Sequence, residues 1–260
     1  MLRKLMKYEL MATGRVYLPL FAALIVISIV NRLLSYLNTN TPQVIGVVIA
    51  VVLIVGIFVL TLVLTLQRFR QNLLSNEGYL MMTLPTRTNW LILSKMFVSA
   101  IWIVASFIVA TISIMIMAMV SFNFRSLSDG FRVVSEFLGV TQAQFTTYVI
   151  EFIVLFIISL FSGILLLYTC MSLSMLVNKR RGLFTFGAFI VVTTAMQIIG
   201  SILAAIIGAM NISLYFNTNS LDAYGLSQLL IFILLGAEVI MCGAYYFVTR
   251  YMLKSRLNLQ

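Results

Sequence analysis

Six long apolar runs, residues 16–36, 44–66, 96–122, 148–176, 183–210 and 227–248, fill most of this chain and restrict it to very few architectures. Each run has at least about 20 residues, enough at roughly 1.5 Å per residue to cross a hydrocarbon core of about 30 Å. A segment in lipid must satisfy its own backbone hydrogen bonds. Runs of Leu, Ile, Val, Phe and Met without alternation therefore predict helices rather than barrel strands. With 62% hydrophobic and 9% charged residues, little is left over for a soluble core. The expected fold class is all-α, a polytopic membrane protein with six transmembrane helices in a single domain over 1–260.

The basic residues fall in every second gap. Arg3, Lys4, Lys7 and Arg15 precede the first run; Arg68, Arg70, Arg87 and Lys95 occupy the second gap; Lys179, Arg180 and Arg181 the fourth; Arg250, Lys254 and Arg256 the tail. Arg32, Arg125 and Arg132 lie on the other side, balanced by Asp129, Glu136 and Asp222. Short basic loops are retained in the cytoplasm, so both termini are predicted to be cytoplasmic. The net charge of +10 is thereby a topology signal with attraction to anionic membrane lipid, and nucleic acid is not an expected partner. A basic start before an apolar run resembles a secretory signal. This run is too long, though, and no small-residue cleavage site follows it, so it is expected to stay as the first helix. Cys170 and Cys242 both fall within runs, where they behave as small apolar residues and no disulfide is expected.

Missing residues narrow the chemistry. The chain has no histidine, which removes histidine general bases, serine-histidine dyads and the usual histidine-containing metal sites. No pair of aspartates lies within the runs, and no Gly-rich loop ends in Gly-Lys-Ser/Thr. No catalytic site is expected in this chain, and an energy source would come from a partner.

Two segments outside the runs carry apolar patterning. In residues 1–14, Leu2, Leu5, Met6, Leu10 and Met11 recur at helical spacing between Arg3, Lys4 and Lys7, the pattern of a helix in the membrane interface. A plain topogenic anchor fits the same residues. In the second gap, residues 67–95, Asn76 suits a helix cap, Glu77 the positive end of a short helix, and Pro85 its stop. Tyr79, Leu80, Met82 and Leu84 would then present apolar surface from a loop, either as a docking site or against the bilayer.

These residues carry a resemblance. Lys7-Tyr8-Glu9-Leu10 with Arg15 and Pro19, Glu77-Gly78-Tyr79-Leu80 with Thr83-Leu84-Pro85, and Leu253 through Leu257-Asn258-Leu259 resemble the permease subunits of bacterial ATP-binding-cassette exporters of the second, type V class. The similarity is to short Gram-positive and clostridial members associated with antimicrobial or toxin-like peptide export and self-immunity. The middle motif is the specific one, and with the six runs the resemblance covers nearly the whole chain. It implies a homodimer in the bacterial plasma membrane bound to two copies of a separate cytoplasmic ATPase, which would hold ATP and magnesium. Glu77, Gly78, Tyr79, Leu80, Met82 and Leu84 would form the coupling helix seated in that ATPase. Glu77 would either pair with a basic residue there or cap the helix.

Within the runs, Gly200, Ala204 and Gly208 recur every four residues beside Ser201, Ala205 and Ala209. Small rows let helices approach closely in lipid, so this row suits either a dimer seam or packing within one subunit. Glu238 lies near the middle of the sixth run. An ionised side chain there costs roughly 3 kcal/mol on insertion scales, so it must face protein or water or be protonated. It is either a polar contact in a translocation path or a structural group between helices. Glu151, near the outer end of the fourth run, can reach water and is expected to be interfacial. Of the outer gaps, 123–147 is the sizeable one, and Phe131, Val134, Phe137 and Leu138 fit an amphipathic helix on the outer leaflet. Residues 211–226 are polar, with Tyr215, Phe216 and Tyr224 at interfacial depth, and the corresponding segment of the resembling family folds back as re-entrant helices.

The function expected from these readings is the membrane half of an ATP-driven exporter of amphipathic or hydrophobic cargo such as a peptide. Thr65, Thr193, Thr194, Gln197 and scattered methionines in apolar spans suit such cargo better than sugars or ions, whose sites need convergent polar groups. The alternatives are a proton-coupled transporter using Glu238 and a membrane immunity or scaffold protein that recruits a partner through the Glu77 loop.

Overall fold

A computed structural model describes residues 2–36, 40–74, 88–118, 124–137, 139–176, 181–217 and 223–255. The described residues form helices α1 (Leu2–Tyr36), α2 (Asn40–Leu74), α3 (Thr88–Met117), α4 (Phe124–Phe137), α5 (Gln142–Ser174), α6 (Arg181–Asn217) and α7 (Ala223–Ser255), with no strand among them. All except α4 contain a window apolar and long enough to span a membrane. The chain is an all-α, multi-pass membrane protein.

The helices outrun the apolar segments that predicted them. Thirty-five residues give α1 a length of about 52 Å, well over the hydrocarbon thickness. Residues 2–15, within the stretch expected to lie in the membrane interface, form the opening turns of α1, which runs unbroken through Pro19. The reason is packing, since this stretch is held against α3 by side chains that its apolar spacing does not reveal. Similarly, residues 211–217, expected in an outer and re-entrant segment, continue α6 to Asn217.

The chain divides into two compact units, Met1–Tyr148 and Val149–Gln260. In the first, α1 and α3 run parallel, because Glu9 meets Lys95 and Ser28 meets Ser113. The α2 helix packs against both and runs in the opposite direction. Tyr17, Phe21, Leu24, Ala50 and Ile57 form the buried centre, with Leu20, Leu53, Trp102 and Ala105 packed around it. Phe58 of α2 meets Phe107 of α3 edge to face at 4.8 Å. In the second unit α5 and α7 also run parallel, joined by Glu151 with Gln228 at one level and Thr169 with Thr249 at another.

Amphipathic α4, expected from Phe131, Val134 and Phe137, is present, and its stop is written in the sequence. Gly139 takes φ of +66°, which glycine adopts without the Cβ penalty. Gly139 N–H then donates to the Glu136 carbonyl at 3.2 Å and Val140 N–H to the Ser135 carbonyl at 3.1 Å, a Schellman stop. Two residues on, the Thr141 N–H donates to Gln144 Oε1 at 3.0 Å and the Gln144 N–H to Thr141 Oγ1 at 3.4 Å, the reciprocal cap that starts α5. Phe131 rests on Phe145 at 5.7 Å between ring centroids, tying α4 to the first turns of α5.

Candidate functional site

Residues 75–87, with Glu77, Gly78, Tyr79, Leu80, Met82 and Leu84, lie outside the described residues. Their footing is described. The segment leaves the end of α2 at Leu74 and re-enters at Thr88 of α3, beside the opening turns of α1. We call this end of the first unit its foot.

A seam of polar contacts climbs from the foot between α1 and α3. Lys95 Nζ donates to Glu9 Oε1 at 3.0 Å, with Lys95 only 4% and Glu9 15% exposed. About two turns higher the Trp102 Nε1–H donates to Thr13 Oγ1 at 2.7 Å, and Thr13 in turn lies 2.8 Å from the Glu9 carbonyl. The Trp102 ring stacks on Tyr17 with centroids 4.3 Å apart and planes 9° from parallel. The Tyr17 hydroxyl reaches Thr61 of α2, whose own hydroxyl stands 3.3 Å from Ser106 Oγ of α3. Near the far end Ser28 of α1 bonds Ser113 of α3. One further turn on, Asn31 is buried with no partner for its Oδ1 among the described residues, facing the bare backbone of Gly46.

Each of these groups would be costly in lipid alone, and each interhelical hydrogen bond there contributes about 0.6 kcal/mol on average. Glu9 and Lys95 contribute differently. Removing one partner from a buried ion pair leaves an uncompensated charge, so the pair fixes the α1–α3 register more than it adds stability.

Sequence reasoning placed Lys95 among the loop charges of the second gap. The structure corrects this, because α3 begins at Thr88 and Lys95 sits two turns inside it, buried. In the sequence Glu9 stands only as part of a terminal motif, and nothing there marks Trp102. The one available signal was a charged residue directly abutting the third apolar run.

Glu238 is half-buried on α7, at helical spacing from Cys242, Tyr245 and Thr249. That face meets α5 further along, where Thr169 Oγ1 lies 3.1 Å from the Tyr245 carbonyl and 3.0 Å from Thr249 Oγ1. Glu151 is tied rather than simply wet, since Gln228 Nε2 donates to its Oε2 at 3.2 Å. The small row on α6 is open: Gly200 and Ala204 are exposed, and a Cβ at Gly200 or Gly208 would meet no atom within 4 Å among the described residues. Of the residues expected to face cargo, Thr65 is buried and gives its hydroxyl to the Thr61 carbonyl at 2.8 Å, while Thr193 gives its own to the Phe189 carbonyl at 2.7 Å. Cys170 and Cys242 are both free thiols.

No family model, curated protein or solved structure matches this chain. The candidate site therefore rests on the seam, the foot it braces and the chemistry of the residues themselves.

Proposed function

We propose that this protein is the membrane-spanning subunit of an ATP-driven exporter, acting as a homodimer on amphipathic or hydrophobic cargo, with a separate ATPase docked on the segment containing Glu77 to Leu84. The observation that carries this reading is the braced foot. A docking segment transmits force only if both of its ends are rooted in elements that move together. Here it is flanked by α2 and α3, and α1 is pinned to α3 by Glu9–Lys95, Thr13–Trp102 and the Tyr17–Trp102 stack. ATP-driven closure of the ATPases would move the first unit as one lever and re-aim the spans around a path for cargo. The apolar side chains Tyr79, Leu80 and Met82 suit a seat in a cleft, and the chain needs no catalytic group of its own for this work.

The test is copurification with the ATP-binding-cassette ATPases of the same organism, followed by ATP hydrolysis in lipid nanodiscs with and without amphipathic peptides. A stable complex whose hydrolysis is stimulated by peptide is the expected outcome. Leu80→Asp should abolish ATPase binding while the permease stays folded; unchanged binding and transport in that variant would end the coupling assignment.

A further inference from the structure

Beside the seam an open groove of about 700 Å³ is lined by Leu10, Gly14, Arg15, Leu18, Pro19 and Trp102. That volume lies in the range of ligand clefts, roughly 300–1,000 Å³. Its wall is fixed in advance, because Trp102 is held by its hydrogen bond to Thr13 and its stack on Tyr17. Its floor is Gly14, where the missing side chain leaves the Trp102 ring uncovered. A Cβ there would stand in ordinary contact with that ring at 3.6 Å, so the glycine keeps the groove open rather than relieving a clash.

The depth of the groove follows from charge. Between Arg15 and Arg32 α1 has only apolar and small polar residues, a stretch of about 24 Å at 1.5 Å per residue. That is shorter than a hydrocarbon core of about 30 Å, so each guanidinium lies within snorkelling reach of its headgroup layer. Arg15 is exposed and sits at the groove's rim, with Lys7 two turns from Gly14 on the same face and also exposed. Pro19 adds one feature. Lacking an N–H, it cannot donate to the Arg15 carbonyl as a fourth-residue helix partner would, and leaves that acceptor to a headgroup hydroxyl.

We propose that this groove holds one anionic phospholipid, its phosphate on Arg15 and Lys7 and one acyl chain lying along Leu18, Pro19 and the Trp102 ring. An anionic headgroup is favoured over a zwitterionic one because Arg15 lines the groove, Lys7 follows two turns from Gly14 on the same helix, and no carboxylate is among the groove's lining residues. The bound lipid would cover the outer side of the contact that pins α1 to α3. This assignment stands apart from the exporter reading, since it concerns only α1 and α3.

Native mass spectrometry of the full chain, purified in detergent and offered phosphatidylglycerol or phosphatidylcholine, tests it. One phosphatidylglycerol should be retained in preference to phosphatidylcholine, and inorganic phosphate should fail to displace it. Arg15→Gln should weaken that retention about tenfold, the scale of one lost charge-assisted contact, while Arg32→Gln at the other end of the span should leave it intact. A photoactivatable phosphatidylglycerol should label peptides containing Leu18 or Trp102 in the unmodified protein, which decides the matter should Arg15→Gln fail to fold. Equal retention of the two lipids, displacement by phosphate, unchanged retention in a folded Arg15→Gln, or a groove closed to the photoprobe by a second copy would each overturn the proposal.

Discussion

Lys95 shows how one side chain can carry more than its place in the sequence declares. Because it is buried against Glu9, Lys95→Met should remove the ammonium that this carboxylate faces and destabilise the first unit by about 3 kcal/mol, read as a lower thermal midpoint in detergent. Replacing both, Glu9→Leu with Lys95→Met, should recover most of that loss, because two well-packed apolar groups avoid the desolvation that the pair must overcome. Gly46 makes an equally local prediction. A Cβ built there would come within 2.5 Å of Asn31 Oδ1, so Gly46→Ala forces a buried amide to swing and should cost about 1–3 kcal/mol. Asn31→Ala in the same chain should relieve it, a coupling that a double-mutant cycle would measure. In the sequence Lys95 shows only as a charge abutting an apolar run, and nothing there names its partner or that of Gly46. Glu9 and Lys95 are 86 residues apart, and Gly46 is one glycine among many in apolar runs.

At the scale of the helices, the number of spans and the amphipathic α4 were legible because length and composition alone decide them in lipid. The faces were not. When Leu, Ile and Val surround a helix on every side, apolarity does not distinguish the side that meets protein from the side that meets lipid. The discriminating residues are small or hydroxylic: Ser28, Thr61, Ser106, Ser113, Thr169 and Thr249 are all buried between helices. Helix ends were misjudged for a related reason, since α1 and α3 extend past their apolar runs wherever polar side chains find partners in each other. The α6 helix is the opposite case. Its apolar window has no buried residue among the described ones, and Gly200 and Ala204 of the small row stand exposed. In the proposed homodimer this row is the natural seam, and Gly200→Leu with Gly208→Leu should shift chemical cross-linking in nanodiscs from dimer to monomer without lowering the monomer's thermal midpoint. Unchanged cross-linking would move the seam to another helix.

For the whole molecule, the proposed division of labour gives Glu238 a modest role. With ATP as the energy source, Glu238→Gln should leave transport ATP-dependent and its pH profile unaltered, altering rate at most a fewfold. Loss of transport together with its pH dependence would instead mark the protein as proton-coupled. The seam at the foot also bears on time rather than force. A ribosome adds about 5–20 residues per second, so Lys95 follows Glu9 after roughly 4–17 s, an interval set by the 86 residues between them. Throughout that interval the nascent first helix carries a carboxylate that has yet to meet its ammonium partner. Chains arrested before residue 95 therefore lack the contact that fixes the register of α1 against α3.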